Sequence, residues 1–458
     1  MEFRSFWCIC LLGLIGCKTR EYSSPSMENY IPEDSSYRHQ FTDQNLSSIP
    51  TFQSFVQDDI LLSLLQQAFE ENTDWKVVLA RLELAYVDAD FRNSASLPSG
   101  KIGLEYVEGK QKNRMTDFQE EKIPNWQSNG LLSWELDLWG KWEQVRESNK
   151  HEILSANHDT LASKISLIHE IAEVWFELRF LEEDLLLIRE SLASYESSYQ
   201  LYLNRLAVGL EDNASITRQR TEKDLILLEK NQTLRRLDIT KVKLGRLLGS
   251  PLSQISSKIP LLTKQEIPSL PSTLPSWVLR NRPDFQAAES RLVSHFHIEK
   301  GAQLDLYPSI GLNLSGGGMS NSLSEPFALW EAKLGPFLSV PFLSPIRKQK
   351  IRLEKAHFKI LESEWKAMIV KGVEEIQAAL IAFTMIKEEL MLSDKITEQS
   401  GMILEVTRQK LQQGIISQLQ LLEDEKLFLK SGRKTLAIRL EFFKAAFGLS
   451  KSLGLSTQ

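Results

Sequence analysis

Between residues 167 and 206 the apolar side chains Leu167, Ile171, Val174, Leu178, Leu181, Leu185, Ile188, Leu192, Tyr195, Tyr199, Tyr202 and Leu206 recur at alternating steps of four and three, and no proline interrupts them. That spacing is a heptad seam, the mark of a helix packed lengthwise on other helices. The helical pattern extends over residues 142–209, which at 1.5 Å per residue predicts a rod of about 100 Å. Helices of ordinary globular domains are far shorter, so the chain is expected to build something elongated.

Little else in the composition competes with that reading. A net charge of −6 over 458 residues gives no support for nucleic-acid binding. The three cysteines, Cys8, Cys10 and Cys17, all lie in the first 17 residues, so the body of the chain has neither disulfides nor thiolate chemistry. After residue 20 no apolar run is long enough for a transmembrane helix, and a membrane-spanning part would have to be made of strands.

The N-terminus reads MEFRSFWCICLLGLIGC, with Arg4 before an apolar stretch too short to span a bilayer. This is the form of an export signal, assigned to residues 1–16. Leu14-Ile15-Gly16-Cys17 resembles the bacterial lipobox, which predicts a lipid on Cys17. Residues 17–57 are polar, lack periodicity and read as an extended, lipidated tether. A helical pattern follows from Asp58 to Ser96 and stops at Leu97-Pro98.

The period then drops to two. Ile102, Leu104 and Tyr106 alternate with small or acidic residues, and so do Leu132, Trp134, Leu136 and Leu138. Strands are expected at 101–109 and 129–139, joined by a long polar loop. The long helix 142–209 follows, ended by Gly209, and a return helix runs over about 215–248. A proline-punctuated connector covers 251–276.

Residues 277–450 repeat 58–250. At a shift of 210, Arg81, Leu82 and Pro98-Ser99 meet Arg291, Leu292 and Pro308-Ser309; at a shift of 205, Ile171 meets Ile376 and Gly209 meets Gly414. The second half is expected to carry strands at 309–318 and 331–343, a long helix at 346–413 and a return helix at about 417–447, with 451–458 as a tail. Each half is helix, strand, strand, long helix, helix, so the fold is mainly α with a small β part. Four strands are too few to close a barrel, so lipid-facing strands would need several copies to share one.

Trp134-Glu135-Leu136-Asp137-Leu138-Trp139-Gly140-Lys141, Arg282-Pro283-Asp284, Leu306-Tyr307-Pro308-Ser309-Ile310 and Lys410-Leu411-Gln412-Gln413-Gly414, with the lipobox and the duplication, resemble the TolC-like outer-membrane efflux proteins. The nearest branch is the lipoprotein channels that serve RND-type inner-membrane pumps. The resemblance implies a homotrimer with a 12-stranded outer-membrane β-barrel continued by a 12-helix periplasmic α-barrel. Its partners would be a periplasmic adaptor, an RND-type pump and outer-membrane lipid. The channel would conduct passively, with no enzyme activity. The family's closing latch maps onto Leu419, Leu422, Glu423 and Lys426, where Glu and Lys replace the family's Asp and Arg. Lys lacks Arg's planar fork, so a weaker latch is expected. Gly209 and Gly414 are read as left-handed stops at the helix-to-helix turns.

The sequence pattern carries little other chemistry. His295 and His297 are two apart on a helix, point to different faces and cannot share a metal; both are expected to be exposed, and no metal site is expected. Gly316-Gly317-Gly318 lacks the Lys-Ser/Thr of a phosphate loop and reads as a flexible strand end or loop. Glu135 and Asp137 are read as acidic residues lining water rather than a catalytic pair. No cofactor is expected beyond the lipid on Cys17. Two other functions fit the same pattern: a type I secretion conduit of the same fold, and a periplasmic coiled-coil scaffold without a pore.

Overall fold

The computed structural model describes residues 52, 56–112, 120–122, 126–250, 259–267, 281–321 and 329–454. Cys17 and most of the 17–57 segment lie outside them. The described chain runs α1 (Asp59–Glu71), α2 (Thr73–Ser94), β1 (Ser99–Tyr106), β2 (Lys110–Lys112), β3 (Glu120–Lys122), β4 (Trp126–Leu136), α3 (Lys141–Ala207), α4 (Asn213–Leu247), α5 (Pro283–Leu304), β5 (Ser309–Ser320), β6 (Leu329–Ser339), α6 (Pro345–Gln412) and α7 (Gln418–Ser452). A short 3-10 turn at Leu262–Lys264 lies in the connector.

The duplication is nearly residue for residue. α2 and α5 are both 22 residues long and start 210 apart. α4 and α7 are both 35 residues long and start 205 apart. The long helices α3 and α6 have 67 and 68 residues.

Two compact units form. One contains Tyr86–Ser155 and Ala288–Lys366, and the other the described residues of Pro32–Ala85, Ala156–Ala287 and Ala367–Gln458. In the first unit β1, β4, β5 and β6 make one antiparallel sheet in that order, leaving β1 and β6 as edges. Pro336 sits in edge strand β6, where a missing N–H disrupts least. The second unit holds the apolar core. Phe176, Phe443 and Phe447 pack as neighbouring rings, and Ile171, Leu178 and Leu181 of the heptad seam are fully buried, as is Ile168 beside it.

The structure amends several expectations. The helical pattern from Asp58 is broken at Asn72, whose backbone is extended (φ −60°, ψ 123°) and whose side chain caps α2 by accepting from Trp75 N at 2.7 Å. β1 and β4 begin three or fewer residues before the expected strands, β1 ends at Tyr106, and β4 ends at Leu136, where the chain turns with Leu138 N bonded to Leu136 O. The loop between them contains a short antiparallel ladder, β2 with β3. β6 ends at Ser339, so Pro341 lies outside it. α7 continues to Ser452. Phe52, within the expected tether, is fully buried with its ring edge-on to His169 at 5.2 Å. Gly316-Gly317-Gly318, expected as a flexible strand end or loop, lie within the interior strand β5, which continues past them to Ser320. The backbones approach closely there: a Cβ on Gly317 would lie 2.3 Å from Ser128 O.

Candidate functional site

The register sorts the sheet's side chains into two chemically opposite faces. Pairing Trp134 with Leu312, Leu132 with Leu314 and Leu136 with Ile310 puts these six on one face. The same face takes Ile102, Leu104 and Tyr106 from β1 and Trp330, Leu334, Pro336 and Leu338 from β6. The opposite face is mostly polar, carrying Lys101, Glu105, Gln127, Asn129, Ser133, Glu135, Asn313, Ser315, Glu331 and Lys333 together with the apolar Leu131, Met319, Leu329 and Phe337. The apolar face is open: Ile102 is 92% exposed, Leu334 75% and Trp330 72%. A contiguous apolar surface of this kind marks a protein or membrane contact.

Aromatic residues sit at both ends of this face. Tyr106 and Trp126 meet edge to face at 5.0 Å at one end, and Trp134 lies at the other. The eight residues from Trp126 to Trp134 span about 27 Å at 3.4 Å per residue. Tilted by the roughly 35–45° of barrel strands, that is a height of about 19–22 Å, somewhat under the roughly 25 Å of an apolar band between two aromatic girdles.

The Trp-Glu-Leu-Asp-Leu-Trp-Gly-Lys stretch fastens this sheet to the start of α3. Trp134 Nε1 donates to Ser96 O at 3.2 Å, and Trp139 Nε1 donates to Pro308 O at 2.7 Å. Asp137 caps α3, accepting from Trp142 N at 3.1 Å and Glu143 N at 2.9 Å. Lys141 Nζ pairs with Glu135 at 3.5 Å and Asp305 at 3.0 Å. Burial alone would raise the Asp305 pKa, but the bonds and charges of Lys141 and Lys350 outweigh it and lower it. Glu135 and Asp137 thus hold structure together, and no reacting group stands beside them among the described residues.

The second cluster lies where the helices turn. α3 and α4 are joined through Gly209 (φ 78°), α6 and α7 through Gly414 (φ 72°). Both turns carry the same paired bonds: Gly209 N to Leu206 O and Leu210 N to Arg205 O, Gly414 N to Leu411 O and Ile415 N to Lys410 O, all 2.9–3.0 Å. Only a left-handed residue closes a helix this way. Asp212 and Ser417 then cap the return helices.

Of the latch residues, Leu422 is buried, Leu419 half-buried and Glu423 half-exposed. Lys426 is 8% exposed and joins three elements. Its Nζ donates to Glu423 Oε1 at 3.2 Å on its own helix and to Gln219 Oε1 at 3.4 Å on α4. It also lies 3.6 Å from Glu222 Oε2 and 4.3 Å above the Tyr195 ring of α3. Burial, then Glu222 and Glu423, push the Tyr195 phenol pKa up. Two turns along α7, Arg433 repeats the tie, bonding Asp184 of α3 at 2.8 Å and Glu229 of α4 at 2.6 Å. Sequence reading paired Lys426 with Glu423 alone and missed Tyr195, Gln219, Glu222 and the Arg433 bridge, because their partners lie about 200 residues away in the chain.

His295 and His297 do face different neighbours, but neither is exposed. His297 Nδ1 lies 2.8 Å from Gln144 Oε1 and its ring stacks on His151, while His295 meets Glu354. The expectation of two solvated imidazoles fails because α5 is covered on both of those sides.

A family model for outer membrane efflux protein matches residues 64–250 and 274–455. The solvent efflux pump outer membrane protein SrpC of Pseudomonas putida is 23% identical, over 99% of this chain and 98% of its own length. The pyoverdine export outer membrane protein OpmQ of P. putida is 22% identical, over 85% of each chain. Among solved structures, the Campylobacter jejuni CmeC outer membrane channel superposes with a TM-score of 0.80 at 18% identity, over 96% of this chain and 95% of its own. The open state of the Neisseria gonorrhoeae MtrE outer membrane channel gives 0.79 at 20% identity, over 96% and 99%. With the family model matched in both halves of the duplication, the chain belongs to the outer membrane efflux protein family.

Proposed function

We propose that this chain is the outer-membrane channel of a tripartite efflux system, conducting passively what an inner-membrane RND-type pump and a periplasmic adaptor deliver. The observation that carries the reading is the open apolar face of the four-stranded sheet, flanked by two edge strands. In lipid, the unpaired backbone of β1 and β6 would cost several kcal/mol per group, so β6 of one copy is expected to pair with β1 of the next. Three copies, the number the family resemblance implies, supply the twelve strands of a closed barrel whose polar face lines water. A pore-free periplasmic scaffold would have no use for such a face.

The relatives' names span solvent, toluene and pyoverdine export, so what they share is a conduit rather than a cargo. Those names favour efflux over polypeptide secretion. A lipid on Cys17 anchors the chain to the outer membrane, and Lys426 with Glu423, Leu419 and Leu422 holds the channel closed near the helix turns. The test is conductance of purified protein in a planar bilayer. Trimers that conduct support the channel. Trimers that stay silent, with and without the Lys426 contacts, sink it. Palmitate labelling that survives Cys17→Ser would remove the anchor from the proposal.

A further inference from the structure

We propose that His295, Glu354 and His357 form a binding site for a zinc-class divalent cation that staples α5 to α6. His295 comes from α5. Glu354 and His357 are three residues apart on α6 and share a face. The three side chains converge on one oxygen: Glu354 Oε2 lies 3.3 Å from His295 Nε2 and 3.7 Å from His357 Nδ1. One ligand atom from each residue can be chosen so that all three lie within 4.8 Å of one another.

Those distances fit a metal better than they fit an ion pair. Ligands around a tetrahedral zinc, with bonds of about 2.0–2.1 Å, stand about 3.4 Å apart. Two of the three edges are already close to that. The third closes by a turn of His357, whose side chain is half-exposed and has room to move. A carboxylate that needed only a cation partner would be served by His295 alone. The second imidazole, set at 62° to the first with ring centres 5.7 Å apart, is surplus to an ion pair and in place for a shared ion.

The donor set selects the ion. Two imidazoles and one carboxylate suit zinc, copper(II) or nickel(II), whereas magnesium and calcium require oxygen shells. Three protein ligands leave a fourth position for water, on the side His357 leaves open. His295 Nε2–H donates to the main-chain O of Glu354 at 3.0 Å. Binding therefore needs the other tautomer, with the proton on Nδ1 and the Nε2 lone pair turned to the ion. The channel reading uses none of these three residues. Sequence reading set His295 only against His297 and so excluded a metal at the wrong pair; Glu354 lies 59 residues further on, and His357 one helical turn beyond it.

The experiment uses tag-free full-length protein in detergent, stripped with chelator and titrated with zinc chloride against a chromophoric competitor. One zinc per chain is expected. His357→Ala and Glu354→Gln should each weaken it by at least roughly tenfold, the range that even outer-shell changes reach. His297→Ala should leave it unchanged. Metal-free melting curves matching wild type show that the variants are folded. Cobalt(II) supplies a second readout: strong visible absorption from a four-coordinate ion in wild type, absent in His295→Gln. If wild type takes up no stoichiometric zinc, if His357→Ala and Glu354→Gln bind like wild type, or if His297→Ala is the variant that loses zinc, the site is wrong.

Discussion

Asn72 and Arg282 occupy equivalent positions of the two repeats, and each donates to the carbonyl of the last residue of its return helix. Asn72 Nδ2 reaches Leu247 O at 2.7 Å, and Arg282 Nη1 reaches Ser452 O at 3.1 Å. Both satisfy a helix-end carbonyl that has no partner within its helix. The second repeat has added charge: Arg282 also bonds Asp284 at 2.7 Å and Glu375 at 3.0 Å and covers the Phe285 ring. Asn72→Ala is expected to cost about 1–2 kcal/mol, the value of a lost cap and one neutral bond. Arg282→Ala should cost about 2–3 kcal/mol, mainly the lost charged bond to the helix-end carbonyl and the lost cover over Phe285, since both carboxylates left behind are more than a third exposed. Melting of the detergent-solubilised protein measures both. An order reversed from this would show that the charged bond and the cover over Phe285 contribute nothing.

Phe285 makes a second demand on the same corner. A Cβ on Gly372 would lie 2.1 Å from Phe285 Cζ, and the ring is 1% exposed beneath the Arg282 guanidinium. Gly372→Ala should therefore destabilise by about 1–3 kcal/mol, as overpacking does, despite the gain in helix propensity. Adding Phe285→Leu should recover part of the loss. Equal losses in the single and double variants would place the strain elsewhere.

Much of this was legible in the chain, for reasons that differ by element. Heptad spacing and the glycines at 209 and 414 announced two long helices and their stops, because periodicity survives any change of partner. Alternation in β1 and β4 announced an apolar face, and the cross-strand register shows the same face continued by β5 and β6. The break at Asn72 was hidden, since apolar residues continue on both sides and only a side-chain bond to Leu247 O marks it. The β2–β3 ladder was hidden by its polarity: Lys-Gln-Lys and Glu-Glu-Lys have no apolar face to reveal a period of two. Glycines 316–318 read as a flexible strand end or loop because glycine is poor in strands, and the close backbone approach that calls for one is a property of the neighbouring strand. The surroundings of Lys426 and His295 were hidden because they are assembled from distant helices, and no local pattern encodes them.

Asp58 and Arg179 form a buried pair at 2.9 Å, with Arg179 only 2% exposed. Asp58 also caps α1 and accepts from Trp175 Nε1 at 2.9 Å, and Arg179 holds Pro260 O and Leu261 O of the connector. Burial pulls the Arg179 pKa down, against the raising effect of Asp58. Asp58→Asn removes the guanidinium's directly bonded counter-charge, leaves only the more distant buried Glu183, and should cost about 3 kcal/mol, the low end for a broken buried pair. Asp58→Asn with Arg179→Met should cost less than the single change. A double variant worse than the single would mean the carbonyl bonds of Arg179, and not its charge pairing, dominate.

His169 is 1% exposed, and its pKa is pushed from 6.5 down to about 4, first by burial and then, among lesser effects, by the charge of Lys451. Its ring sits between Ile165 O at 2.7 Å and Ser450 Oγ at 3.1 Å. The unfolded chain takes up a proton near pH 6.5 and the folded chain only near 4. Stability from this group is therefore complete above pH 6.5, declines as pH falls toward 4, and is constant below. The full change is about 3 kcal/mol per chain at 1.36 kcal/mol per unit. His169→Gln should lower stability at pH 7 and flatten this part of the pH profile. Parallel profiles for wild type and variant would rule out His169 as its source.

Lys426 offers the sharpest separation of structure from conduction. Lys426→Met keeps an unbranched side chain of similar reach over Tyr195 and removes the charge that holds Glu222 and Glu423. The pair with half-exposed Glu423 is worth at most about 1 kcal/mol, so folding should be nearly unchanged. Glu222 lies on α4 and Glu423 on α7, however, and without the ammonium between them the two carboxylates repel. If this cluster holds the helix ends closed, single-channel recordings of Lys426→Met should show open events several times more frequent than wild type. Lys426→Arg, which restores the charge with a planar fork, should be at least as closed as wild type. Unchanged opening in Lys426→Met, with melting also unchanged, would remove the cluster from the closing mechanism and leave it as an ordinary tie between α4 and α7.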